Sequence, residues 1–150
     1  MTLSLDILDR LIAFDTVSNR SNLGLIAYVE DFLRARQFRV HRIPDLTEEK
    51  AGLYAEIGPQ TDGGILLSAH SDVVPVEGQV WTRSPFQLTR DGDRLFGRGT
   101  TDMKSGIASF VAAGMNLGDE LLADPGVLLI MAAGEETGCE GSLPLGQELA

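Results

Sequence analysis

Ile65-Leu66-Leu67-Ser68-Ala69-His70-Ser71-Asp72 is the stretch that sets the architecture. An apolar run narrows to small residues and ends in an imidazole and a carboxylate. Short, continuously apolar strands belong to sheets that are covered by helices, and such sheets place their chemistry at strand ends. Two further segments repeat this arrangement: Gly97-Arg98-Gly99-Thr100-Thr101-Asp102-Met103-Lys104, and Gly134-Glu135-Glu136-Thr137-Gly138 after the run Val127–Met131. Together they offer one nitrogen ligand and several oxygen ligands, a set suited to a hydrolytic two-metal site.

Working outward, helices and strands alternate. Leu5, Leu8, Leu11, Ile12 and Phe14 recur at helical spacing, with Ser4 as the expected N-cap. Leu25, Ile26, Val29, Phe32 and Leu33 mark a second amphipathic helix. Phe38–Ile43 alternates as a strand, Leu53–Ile57 is a second, and Ile65–Leu67 is a third, expected to be shorter and more deeply buried. Asp91-Gly92-Asp93 reads as a hairpin turn, Ile107–Leu117 as a small-residue helix, and Val127–Met131 as a fully buried strand. The pattern is α/β, with the informative residues at strand ends.

Each candidate has an ordinary alternative. His70 and Asp72 are two apart and so point to one side of an extended chain. Asp72 could accept a hydrogen bond from one ring nitrogen while the other binds metal, or the pair could be incidental surface. Asp102 follows glycines that permit a tight turn; it could bridge two cations, or simply cap the following helix. Lys104-Ser105 lacks the preceding glycine of a phosphate loop, because Met103 stands there. Glu135 and Glu136 could divide two roles, one on metal and one on water, or form a solvated loop. His41 reads as a partly exposed filler, Cys139 as a small packed residue, and Trp81 and Phe86 as anchors folding their loop onto the domain.

Composition narrows the function. The 150 residues are 43% apolar, enough for one core. A formal net charge of −10 disfavours nucleic acid as a partner. No apolar stretch approaches the roughly 20 residues needed to span a bilayer, so no membrane partner is expected. The start Met1-Thr2-Leu3-Ser4 shows no basic leader, and Cys139 is the sole cysteine, so a reducing, cytoplasmic setting is expected.

The run Ser68–Val76, then Gly78-Gln79, Trp81, Ser84-Pro85-Phe86, Asp91-Gly92, Leu95–Thr100 and Asp102-Met103-Lys104 carries a resemblance. In that order it is similar to the acetylornithine deacetylase and succinyl-diaminopimelate desuccinylase family of di-zinc metallopeptidases. Carboxypeptidase G and aminoacylase enzymes share the outline. Val74–Gln79 leans toward the acetylornithine deacetylases, whereas Gly134–Gly141 resembles a broader branch.

The resemblance implies a three-layer α/β/α zinc-peptidase-like domain, with residues 1–150 as its truncated N-terminal part. It implies His70 as ligand of one metal, Asp102 as bridging ligand and Glu136 as ligand of the other. Glu135 is then the general base and Asp72 the partner of His70. The metals would be two zinc ions, with cobalt or manganese as substitutes. The substrate would be an N-acyl amino acid, and N-acetylornithine would place the enzyme in arginine biosynthesis. Two further ligands and a smaller lid domain that dimerises the family would be absent, so the fragment alone is expected to be inactive, to bind no metal or bind it only weakly, and to self-associate. A non-catalytic domain is the other reading. The family also places a cis peptide after its bridging aspartate, here Asp102–Met103.

Overall fold

The computed structural model describes residues 2–59, 64–117 and 126–149. Helix α1 spans Leu3–Ile12 and buries Ile7, Leu8, Leu11 and Ile12, one stripe at helical spacing. Thr2, not Ser4, is its N-cap residue, and no side chain caps it; the two hydroxyls instead pair at 3.2 Å. Helix α2 (Leu23–Arg34) buries Leu25, Ile26, Val29 and Leu33 in the same way.

The strands are β1 (Arg39–Pro44), β2 (Ala51–Ile57), β3 (Ile65–His70), β4 (Thr89–Asp91), β5 (Arg94–Phe96) and β6 (Val127–Ala132). The main sheet runs β1-β2-β6-β3, antiparallel except for the parallel pair β3/β6. A parallel pair needs a long crossover, and the segment between β3 and β6 holds the β4/β5 hairpin and helix α3 (Lys104–Leu117). In the hairpin Asp91 pairs with Arg94, leaving Gly92 first in the loop at φ +60°, where a II′ turn requires glycine.

Helices α1 to α3 pack on one sheet face, where Ala51, Leu53, Ala55, Leu129 and Met131 join Ile107, Ala108 and Val111 in the core. Helix α4 (Ser142–Glu148) lies on the other face, with Leu145 against Gly52. The three layers therefore exist, the second helical layer being one short helix among the described residues.

Two burial expectations change. Ile65 and Leu66 are more than half exposed, because among the described strands β3 pairs only with β6 and forms the sheet edge. Strand β6 is flanked by β2 and β3, yet only Leu129, Met131 and Ala132 are buried, since one face carries the main core. Among the described strands the open edge beside β6 is thus β3. Its exposed part, Ile65 and Leu66, is apolar and the strand has no proline, unlike β1 with Arg39, Arg42 and Pro44.

Lys104 begins α3 and is fully buried. Its Nζ donates to the Phe14 carbonyl at 2.7 Å, placing a cation at the C-terminal end of α1. Its stem lies against Gly99, whose φ is +88° and where a Cβ would stand 3.0 Å from Lys104 Cδ. Burial lowers the Lys104 pKa to about 8, partly opposed by Asp15. The folded chain therefore binds fewer protons than the unfolded chain between about pH 8 and 10.5, and stability rises with pH through that window. The gain is about 3 kcal/mol. Lys104→Met removes this titration, so its stability relative to the unsubstituted chain should fall by that amount between pH 7 and 10.5. Urea denaturation at both pH values measures it, and a pH-independent difference would refute it.

Candidate metal centre

Parallel pairing of β3 with β6 brings both strand ends to one edge, with His70 in register with Ala132. His70 is consequently one turn of loop away from Glu135 and Glu136, and Ser71 N donates to Ala132 O at 2.9 Å. Asp102 reaches the same edge because α3 starts there. The alternative cap role falls away: α3 begins at Lys104, two residues on, and the Asp102 carboxylate points to His70. The Asp102–Met103 peptide is cis, as the resemblance implies.

Ligand atoms of His70, Asp102 and Glu136 all lie within 4.8 Å of one another. His70 Nε2 stands 3.0 Å from Asp102 Oδ1 and 3.7 Å from Glu135 Oε2. On the other side, Nδ1 lies 3.0 Å from the Asp72 backbone carbonyl, which can only accept, so Nδ1 carries a proton. When the ring is neutral, Nε2 is left with its lone pair facing Asp102. Asp72 thus orients the imidazole as expected, but through its carbonyl; its carboxylate Oδ1 is 3.6 Å away, beyond a good hydrogen bond.

The Asp72 carboxylate instead accepts from Ser18 Oγ at 2.7 Å, Glu135 N at 3.1 Å and Glu136 N at 3.2 Å. Burial raises its pKa, but His70, Ser18 and the two amides together outweigh burial and bring it to about 2. The Asp72 carboxylate beside His70 raises the imidazole to about 9, against the effect of burial and with help from Asp102. The Glu136 carboxyl is raised by burial, then by Asp102, Glu135 and Asp72, with His70 partly opposing. Carboxylates gathered this closely around one imidazole suit a cation, and the mixed nitrogen and oxygen set suits zinc.

Glu135 and Glu136 occupy a single 3-10 turn, Glu135–Thr137, between Gly134 at φ +72° and Gly138 at φ +108°. Cys139 is exposed at φ +60° rather than packed, because the turn needs a left-handed residue there and its side chain leaves toward solvent. His41 is exposed and stacks on Tyr54 at 4.4 Å. Trp81 carries the Arg98 guanidinium 5.1 Å from its ring centre, which ties its loop to the Gly97–Gly99 turn. Three contributors escaped sequence reading: Ser18, Asn22 and Lys104. Asn22 is buried and bonds Ala51 through both amide ends, at 2.8 and 2.9 Å. Only a cluster of small polar residues after α1 hinted at the first two.

A layered α/β domain with a His/Asp/Glu cluster at the shared end of two parallel strands defines the class, a metallohydrolase-like catalytic domain. The family described as Peptidase family M20/M25/M40 matches residues 66–150, and the chain belongs to that family of metal-dependent hydrolases. The acetylornithine deacetylase of Yersinia pestis is 35% identical over 136 residues, which are 87% of this chain and 34% of the relative. A probable succinyl-diaminopimelate desuccinylase of Staphylococcus aureus (strain MRSA252) is 36% identical over 126 residues, 83% of this chain and 30% of the relative. The chain therefore spans about a third of the length of these relatives. Human carnosine dipeptidase 1 superposes with a TM-score of 0.80 at 23% identity, covering 97% of this chain and 34% of that one. Metallo-carboxypeptidase Sso-CP2 of Sulfolobus solfataricus gives 0.78 at 24%, covering 92% and 32%. Those two likenesses show the fold. No helix among the described residues is long and apolar enough to cross a membrane.

Proposed function

We propose that the chain is the N-terminal part of the catalytic domain of a metal-dependent amidohydrolase that removes the acyl group from an N-acyl amino acid, N-acetylornithine first. The observation that carries this reading is the meeting of His70, Asp102 and Glu136 within 4.8 Å, with Glu135 beside them. His70 and Asp102 would hold one cation and Asp102 and Glu136 the other. Two zinc ions, or cobalt or manganese in their place, would supply Lewis acidity at these atoms.

The chain's own residues divide the remaining work. Asp72 and its carbonyl keep His70 Nδ1 protonated, so Nε2 is the ligand atom. Glu135, half exposed, accepts a proton from the attacking water and returns one to the departing amine nitrogen. Its neighbour Glu136 faces the ligand cluster, so two adjacent carboxylates serve two roles. The remaining ligands and a dimerising lid domain belong, on this reading, to the part of the relatives' length that the chain does not span. A lone exposed cysteine fits a cytoplasmic enzyme.

The test joins residues 1–150 to the remaining two thirds of each relative. The fusion to the deacetylase should hydrolyse N-acetylornithine with added zinc or cobalt, and the fusion to the desuccinylase should act less well on its N-succinyl substrate. The reverse order would move the substrate assignment, and two folded but inactive fusions would favour a non-catalytic domain.

A further inference from the structure

We infer that Ser18 is a positioning residue of the metal centre: its hydroxyl fixes the Asp72 carboxylate, which in turn fixes the Glu135–Glu136 turn. The inference rests on the reading of Glu135 and Glu136 as base and ligand, and goes beyond it.

The turn cannot be held by packing, because none of its residues is buried. Its amides of Glu135 and Glu136 both end on Asp72, one on each carboxylate oxygen. A carboxylate that accepts two such amides ties the turn to the end of β3, provided its plane is fixed. Ser18 supplies the third donor, at 2.7 Å the shortest of the three and a charge-assisted one. Its alternative acceptor, Val73 O, is more distant at 3.4 Å. The His70 contact does not fix the plane, since Nδ1 bonds the Asp72 carbonyl.

Ser18 is itself immobilised. It is 5% exposed, its N donates to Val73 O at 3.1 Å, and Val73 N donates back to Thr16 O at 3.0 Å. Lys50 Nζ holds its carbonyl from the far side. The loop between α1 and α2 thus lies beside residues 71–73 like a short extra strand, with Val17 bridged to Val73. One hydroxyl links that loop to both halves of the metal cluster.

The test compares Ser18→Ala with Thr16→Val. Thr16 is a buried hydroxyl in the same loop, but it bonds Ser71 O at 2.7 Å and not Asp72. In the metal-free chain, Ser18→Ala should shift the Glu135 and Glu136 amide resonances and speed their hydrogen exchange about tenfold or more; loss of a partner of this kind typically costs about 10–100-fold in metal affinity. Zinc affinity should accordingly fall about tenfold. Thr16→Val should leave both readouts nearly unchanged. Equal behaviour of the two variants, or unmoved amides in Ser18→Ala, would overturn the inference. Should Ser18→Ala fail to fold, Ser18→Cys, a weaker donor of similar size, is read by the same criteria. If the unsubstituted chain takes too little zinc to titrate, the amide measurements alone decide the role of Ser18, and the activity of the deacetylase fusion decides the metal reading.

Discussion

Glu135→Gln in the deacetylase fusion should lower kcat by about a thousandfold or more while leaving zinc binding within a few-fold. A positioned general base typically contributes about 10²–10⁴-fold, and on the proposed reading one group would both remove and return a proton. Glutamine keeps the shape and the backbone amide bonded to Asp72 Oδ1, so the turn stays in place. It cannot accept the proton. Glu135 is absent from the ligand cluster of His70, Asp102 and Glu136, which is why affinity should survive. Glu136→Gln should do the opposite, weakening zinc binding first. Steady-state rates and calorimetry on the two variants separate the roles. Equal loss of affinity in both would show that the turn presents its carboxylates differently.

Much of this centre was legible because its residues are locally marked. His-x-Asp after an apolar run, Asp after a glycine turn and Glu-Glu between glycines each sit where an α/β sheet ends its strands. What could not be read was the pairing that joins them. The register His70 to Ala132 is non-local, and no residue in either strand announces its neighbour. The same blindness made β3 look buried. Ile65-Leu66-Leu67 is as apolar as an interior strand, but composition does not count neighbours, and β3 has one among the described strands.

The missed residues have the same origin. Ser18 and Asn22 stand in a segment that reads as a mere break after α1, and their partners lie 54 and 29 residues away. Lys104 was visible as part of the Asp102-Met103-Lys104 motif and as a failed phosphate loop, but not as a buried cation. Its burial follows from the close approach of Gly99 and the end of α1, neither of which a linear pattern reveals.

Asp102→Ala should weaken zinc binding by the 150-residue chain at least about 100-fold, beyond what loss of an outer partner costs. The unsubstituted chain should itself bind weakly, since on the proposed reading it would give each cation two ligands with Asp102 counted twice, and it should not turn over N-acetylornithine. On that reading, removing the shared ligand would leave one residue per cation, His70 for the first and Glu136 for the second. A second, metal-free readout checks the geometry behind this. Burial and then Asp102 raise the Glu136 carboxyl, so Asp102→Ala should lower its pKa. The same change takes a hydrogen-bond acceptor from His70 Nε2, so the imidazole pKa should fall as well. Both shifts are downward for different reasons, like-charge repulsion relieved at Glu136 and a stabilising anion lost at His70. Carboxyl and imidazole titrations by NMR measure them. Unchanged titrations together with unchanged zinc affinity would mean that Asp102 does not stand between the two halves of the site.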